Sequence, residues 1–290
     1  MSGGWLPYLR LVRIPNTFTA LSNALATHLI ATGGDIRWLE LLGLMAASAL
    51  LYSGGMVLND CFDAEEDRRD RPFRPIPSGQ VPMSTAWGLG AVLLALGVAV
   101  AAMVGGRPLG WALVLSGLIL CYDAYAKHTP LGSVAMGACR YANWGLGLSI
   151  ADLGAGQWLL PLVVFVYVAA LTVLSRIETL GAERWPVAVC GLGVAAAGIL
   201  AAALVAAGIL PHAWPLWLMA GGIGVMLRNL RATWLEPTPP RIQASVKSLV
   251  LGIIPLDAAL AAAGGPWWGG LLVLLLLWPS RALARRVMVT

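Results

Sequence analysis

Ten apolar segments of roughly membrane-spanning length alternate with polar gaps along the 290 residues, at about 16–34, 39–58, 84–105, 108–126, 131–151, 157–176, 186–209, 213–230, 244–263 and 267–283. Helices satisfy every backbone polar group within lipid, so the pattern predicts an all-α polytopic membrane protein, a single domain over 1–290. The gaps alternate in length. Those near 105–107 and 264–266 are short, while the long polar ones, near 59–83, 175–185 and 231–243, fall on the opposite side. With the N-terminus inside, that side carries sixteen Arg and Lys residues, against only Arg37 and Arg107 outside, and Arg140 lies within a span. The positive-inside rule therefore expects an integral membrane protein with both termini and the long polar loops cytoplasmic.

Composition agrees. Hydrophobic residues make up 59% of the chain and charged residues 11%, with a mean hydropathy of +0.78, outside the soluble range. The net charge of +5 is spread by topology, so no nucleic-acid partner is expected. The first 15 residues hold Arg10, Arg13 and Pro15 without a long apolar core, so a cleavable leader is not expected. Cys61, Cys121, Cys139 and Cys190 lack CxxC spacing and read as core or pocket residues. Trp38, Trp158, Trp185, Trp214, Trp267 and Trp278 fall near span ends, where interfacial anchors belong.

The chemistry is concentrated in Asn59–Gly79, NDCFDAEEDRRDRPFRPIPSG. On a helix Asn59, Asp63 and Asp67 lie at i, i+4 and i+8, with Asp60 and Asp70 close to the same stripe. Acids so arranged repel one another unless a cation sits among them, and hard oxygen ligands suit Mg²⁺ bridged to substrate phosphates. Arg68, Arg69, Arg71 and Arg74 follow, the residue type best shaped to grip phosphate oxygens. A solvated loop that merely sets topology is the bland alternative, but helical acid spacing before an Arg-Pro-x-Arg-Pro turn argues for a diphosphate site.

Asn59-Asp60-x-x-Asp63-x-x-x-Asp67, followed by Arg71-Pro72-x-Arg74-Pro75-Ile76-x-Ser78-Gly79, resembles the first aspartate-rich motif of the UbiA superfamily of intramembrane prenyltransferases. Arg13-Ile14-Pro15-Asn16 resembles that family's entry to the first span, and Tyr122 with Lys127 matches its Tyr-x-x-x-x-Lys signature. The resemblance implies a helical bundle around a central cavity open laterally to lipid, nine family helices plus a tenth. It also implies Mg²⁺ and an isoprenoid diphosphate held at two acidic motifs. Carried onto this chain, Asn59, Asp60, Asp63, Asp67 and Glu178 would hold metal. Asp60, Asp63, Asp67, Arg71, Lys127 and Arg140 would be catalytic, and Asn16, Arg68, Arg74, Tyr122, Asn143, Arg176 and Asp257 would bind substrate.

The second motif departs from the pattern. Where an aspartate cluster is expected, the chain reads Leu174-Ser-Arg176-Ile-Glu178-Thr-Leu-Gly181-Ala-Glu183-Arg184. Glu178 and Glu183 share a face only if the helix breaks, as at Gly181, and Glu178 can replace one aspartate unless the second metal site is lost. Together with the tenth span, this looks like a divergent bacterial branch, similar to the UbiA-like member of the ebo cluster. Arg140, costly toward lipid, is expected to face the cavity and contact diphosphate or substrate, or else to form a structural ion pair. Asp257 is its candidate partner, a group polarising an acceptor, or a helix bridge. Asn16 and Asn23 share one face of the first span. His28 reads as a core residue and Asp123 as a loop cap. Tyr122, Tyr125, Tyr141, Trp144 and Phe62 are candidates for an aromatic wall around a carbocation.

Three functions fit these residues. One is a prenyltransferase joining an isoprenoid to a small, possibly aromatic acceptor of unknown identity. The second is a terpene cyclase that ionises the same diphosphate without an acceptor. The third is a lipid-phosphate carrier, against which the intact first motif argues.

Overall fold

The computed structural model describes residues 4–178 and 183–287. Each of the ten predicted segments is helical, and no strand occurs among the described residues. A short α1 (Leu6–Leu11) precedes α2 (Ile14–Ala31) and α3 (Trp38–Phe62), and α4 (Ala64–Asp70) carries the acidic motif off the end of α3. Then come α5 (Met83–Val104), α6 (Gly106–Ala124), α7 (Gly132–Leu148), α8 (Pro161–Ser175), α9 (Trp185–Ala206), α10 (Pro215–Leu235) and α11 (Pro239–Gly264). The tenth segment is split into α12 (Trp267–Leu275) and α13 (Leu277–Val287). Pro279 causes the split, because it has no N–H to give the carbonyl four residues back.

Six stretches are long and apolar enough to cross a membrane: Trp38–Phe62, Met83–Val104, Ala155–Ser175, Trp185–Ala206, Pro239–Gly264 and Trp267–Val287. The helices α2, α6, α7 and α10 fall outside that set, and α2 and α7 carry the polar residues that face inward. The packing follows from this division. The helices α2, α3, α6, α7, α8 and α11 form a ring of neighbours, with α5 outside α3 and α6, α9 and α10 outside α8 and α11, and α12 against α11 and α2. The ring closes between α11 and α2, and α13 is tied back to the first helices where Ser280 Oγ donates to the Pro15 carbonyl (2.8 Å) and Arg10 Nε to the Val287 carbonyl (3.1 Å).

Small residues let the helices approach, as expected where lipid is as apolar as the helix faces. A Cβ on Gly97 of α5 would lie 2.7 Å from Leu51 Cγ of α3, and one on Gly90 would lie 2.6 Å from Leu58 Cδ2. Leu51, Leu58, Leu94, Ala101, Leu115 and Ile119 form one apolar cluster, and the larger one joins α2, α8, α9 and α11. A third cluster, of Leu11, Val57, Cys61, Ala64, Ile76, Val81 and Ala86, lies beneath the loop after α4. Trp38, Trp185, Trp214, Trp267 and Trp278 are exposed at helix ends, as an interfacial belt requires. Trp158 instead stacks on Trp111, with ring centroids 5.5 Å apart.

Candidate active site

The acidic motif begins on α3 but does not continue as one straight helix. Asp63, at φ −88° and ψ 1°, stands between α3 and α4, although the Asp63 and Asp67 amides still reach the carbonyls four residues back (3.0 and 2.8 Å). Asp60 and Asp67, seven residues apart, share the inner face and are buried, whereas Asp70 is exposed and off the predicted stripe. The loop that follows is folded under: Ile76 and Val81 are buried, the Val81 amide bonds the Pro75 carbonyl, and Gly79 turns the chain at φ +74°. Ser78 Oγ donates to the Arg74 carbonyl (2.6 Å), closing the turn from which Arg74 reaches inward.

Four basic groups converge on the acids of the motif. Arg13 Nη2 lies 2.8 Å from Asp60 Oδ1, and Arg74 Nη1 lies 2.6 Å from Asp67 Oδ2 and 3.3 Å from Asp60 Oδ1. Arg71 stands 3.6 Å from Asp67, while Lys127, arriving from the end of α6, pairs with Asp63 and sits 5.8 Å over the Phe62 ring. Burial pushes the Asp67 carboxyl above its usual range, against the pull of Arg74. Burial likewise lowers the Arg74 guanidinium, with the nearby Arg13 charge adding to it, against Asp60 and Asp67. Desolvation thus outweighs attraction on both sides of that pair. At Arg13 burial also acts downward, but Asp60, with Tyr52 and Asp67, holds the guanidinium above its ordinary value. Arg13 is held at φ +49°, alone among described non-glycine residues in the left-handed region, a conformation kept where tertiary contacts demand it.

Among the described residues, one cluster of side chains is close enough together to hold a metal ion, and of the expected ligands it contains only Asp63. Asp63, Glu66 and His128 have ligand atoms within 4.8 Å of one another. Asn59 instead donates to Asp123 (2.9 Å), and Glu178, half-buried, stands outside that group. Gly181, the expected helix break, lies outside the described residues, and Glu183 is exposed and accepts from Trp185 Nε1 (2.6 Å). Oxygen donors with neighbouring cationic clamps fit a hard divalent ion, and the imidazole adds a ligand that also suits Mn²⁺ or Zn²⁺. Two expected substrate contacts are turned elsewhere. Arg68 is exposed and paired with Glu65, since one step along α4 rotates it away from the buried Asp67 face. Arg176 donates to the Thr129 carbonyl (3.0 Å), tying the end of α8 to the loop after α6.

Beside these paired groups lies a half-open cavity of about 70 Å³, lined by Tyr52, Gly55, Tyr122, Asp123, Arg140 and Asn143 among others. Its wall comes from Tyr52, Gly55 and Met56 on α3, Leu115, Ile119 and Tyr122 on α6, and Arg140 and Asn143 on α7. Arg140 Nη2 donates to Thr19 Oγ1 (2.8 Å) and Nη1 to Asn23 Oδ1 (3.2 Å), with its guanidinium carbon 5.2 Å from the Tyr52 ring centroid. Asn143 also donates to Asn23 Oδ1 (3.0 Å) and accepts from Ser48 (2.8 Å). Asp257 of α11, fully buried, accepts from Ser22 (2.5 Å), Asn23 (2.6 Å) and Trp144 (3.3 Å). Asp257 is therefore joined to Arg140 through Asn23 rather than directly.

Of the expected aromatic wall, Tyr122 lines the cavity, whereas Tyr125 is 76% exposed and Tyr141 is bound to the Trp158 carbonyl. Tyr52 takes their place. Arg13, Tyr52, Glu66 and His128 were not singled out for the site by sequence. Their signals were present: Glu66 falls three residues after Asp63, His128 follows Lys127, and Tyr52 lies seven residues before Asn59. His28 is buried as expected, with Nε2 accepting from the Arg37 amide (3.3 Å).

Residues 20–180 match the UbiA prenyltransferase family, more than half of the chain. The chain belongs to that family. A digeranylgeranylglyceryl phosphate synthase from Methanoregula boonei is 31% identical over 85% of this chain and 93% of its own. The corresponding synthase from Sulfolobus acidocaldarius is 30% identical over 61% of this chain, and the match spans 65% of that relative's length. The fold recurs in the apo structure of a UbiA homologue from Aeropyrum pernix K1, with a TM-score of 0.66 and 20% identity over 86% and 96% of the two chains. It recurs also in a homologue from Archaeoglobus fulgidus bound to GPP and Mg²⁺, with a TM-score of 0.56 and 16% identity over 96% and 99%.

Proposed function

We propose that this protein is a divalent-metal-dependent intramembrane prenyltransferase, of the digeranylgeranylglyceryl phosphate synthase type, with its diphosphate mouth on the cytoplasmic side. The observation that carries this is the meeting of Asp60, Asp63 and Asp67 with Arg13, Arg74 and Lys127 beside a half-open, largely apolar cavity. Asp63, Glu66 and His128, with Asp60 and Asp67 once their arginines let go, would hold the ion, Mg²⁺ in the first instance. The ion would neutralise diphosphate charge as the bond to the prenyl carbon breaks.

The residues do the rest. Arg71, Arg74, Arg13 and Lys127 grip the diphosphate oxygens and stabilise the charge that develops as the C–O bond breaks with its electron pair on oxygen. Tyr52, Tyr122, Leu115 and Ile119 receive the allylic chain and keep water from it. An acceptor hydroxyl then attacks the prenyl carbon, forming a new C–O bond, and its proton leaves with the diphosphate. The relatives' product name contains a glyceryl phosphate bearing two geranylgeranyl chains, so the acceptor inferred here is a glyceryl phosphate bearing one.

The cyclase alternative is opposed by Arg140. Arg140 is a buried cation with only neutral hydrogen-bond partners, Thr19 and Asn23, and such a group favours an anionic acceptor, which a cyclase does not take. The deciding experiment incubates the purified protein with labelled geranylgeranyl diphosphate and Mg²⁺, with and without geranylgeranylglyceryl phosphate. Ether product only in the presence of acceptor is expected. A hydrocarbon or prenyl alcohol formed equally well without it would overturn the reading in favour of a cyclase.

A further inference from the structure

We propose that Arg140 is the receptor for the anionic head of the acceptor, held open for it by Asn23 and Asp257; this rests on the prenyltransferase reading above. A guanidinium carries five N–H donors, and among the described residues Arg140 gives one to Thr19 and one to Asn23, both neutral. No carboxylate lies within ion-pair distance of it among those residues. Arg140 lines the cavity together with Tyr52, Asn143 and Tyr122.

A buried arginine among membrane-spanning helices demands a counter-charge. Asp257 supplies it, but through the Asn23 amide: Asn23 Nδ2 donates to Asp257 and Asn23 Oδ1 accepts from Arg140 and Asn143. A direct ion pair would neutralise the guanidinium, whereas the interposed amide takes one donor and Thr19 a second, leaving the charge unpaired and three of the five donors for phosphate or carboxylate oxygens. Ser22 and Trp144 fix the Asp257 carboxylate from two other sides, and Ser48 fixes Asn143, so helices α2, α3, α7 and α11 all hold the arrangement.

Depth separates this receptor from the diphosphate mouth. Arg140 stands eight residues along α7 from Gly132, a rise of about 12 Å. The mouth already has Arg13, Arg71, Arg74 and Lys127 for the donor. A second anion, carried by the second substrate, is what remains for Arg140 to bind. The ligand class is a phosphate monoester on a prenylated glycerol, and Asp257 is a positioning residue that acts through Asn23.

The test compares wild type with Arg140→Gln, Arg140→Lys and Asp257→Asn in detergent, by binding and by turnover. Geranylgeranylglyceryl phosphate alone should raise the melting temperature of wild type, and geranylgeraniol, which lacks the anion, should not. That protection should vanish in Arg140→Gln and weaken in Arg140→Lys, which keeps the charge and loses the fork. In turnover, the acceptor KM should rise about tenfold or more in Arg140→Gln, and less in Asp257→Asn. The KM for geranylgeranyl diphosphate and the kcat at saturating acceptor should stay near wild type. An equal rise in both KM values would assign Arg140 to the donor diphosphate, and intact acceptor protection in Arg140→Gln and Arg140→Lys would remove the receptor; either outcome overturns the proposal. If Arg140→Gln fails to fold, Arg140→Lys carries the same comparison. Because protection is measured without turnover, a wild type that binds acceptor yet makes no ether sinks the prenyltransferase reading and leaves this inference standing.

Discussion

At the scale of single residues, the acidic motif is two units rather than one stripe: Asp60 and Asp67 share Arg74, and Asp63 belongs to Lys127. Asp63→Ala and Asp67→Ala should therefore both lower turnover by more than about a hundredfold, as loss of transition-state charge stabilisation does, while the protein still elutes as a folded species in detergent. Retained metal-dependent activity in both would end the assignment. His128→Ala should weaken Mn²⁺ binding more than Mg²⁺ binding, because nitrogen ligation favours the softer ion; titration of both ions by calorimetry checks it. Asp67 also predicts a pH dependence. Its carboxyl is raised by burial and must be ionised to hold metal, so ion affinity should fall with pH earlier than at an exposed aspartate, whose ordinary value is about 3.9. Folding responds in the opposite sense: the folded chain binds that proton more tightly than the unfolded one, so the metal-free protein gains stability as pH falls through the raised value and loses it as pH rises. Melting curves with and without Mg²⁺ across that range should show the gain only without the ion. The sequence made Asp60, Asp63, Asp67, Arg74 and Lys127 legible because motif spacing survives folding. It misled on Arg68, where one residue of rotation on α4 decides between mouth and solvent.

At the scale of elements, hydrophobic periodicity located all ten segments, because in lipid the length of an apolar run and the length of a helix obey the same constraint. What it could not show were breaks set by a single residue. The junction at Asp63 and the split before Pro279 interrupt runs that read as continuous. Nor could composition show which glycines are contacts. Gly97 is buried against Leu51, while Gly88 of the same helix has open space where its Cβ would be. Gly97→Val should cost about 1–3 kcal/mol through overpacking of α3 against α5, whereas Gly88→Ala should be neutral or stabilising by up to about 1 kcal/mol. Thermal unfolding in one detergent reads both, and equal melting temperatures for the two variants would mean that α3 and α5 do not pack through Gly97.

At the scale of the whole molecule, cross-helix contacts gather the functional ends on one face. Arg13 meets Asp60, Lys127 meets Asp63, Arg176 reaches Thr129, and Arg10 reaches the end of α13. At the other end the His212 amide bonds the Ala263 carbonyl, and Arg107 pairs with Asp152. The basic residues follow the same division, sixteen against two, and the positive-inside rule turns that division into an orientation. Gln80→Cys, on the exposed loop after α4, should then react with a membrane-impermeant maleimide only from the cytoplasmic side. Gly208→Cys, on the exposed turn after α9, should react only from the opposite side. Both belong in a background with Cys121, the exposed native thiol, replaced by Ser. Labelling right-side-out and inverted vesicles separates the two faces. Reaction of Gln80→Cys from outside would invert the protein, and the diphosphate would then have to be supplied from the external face. Reaction of both positions from one side would break the alternation of ten spans itself, because 80 and 208 are separated by five predicted crossings, an odd number.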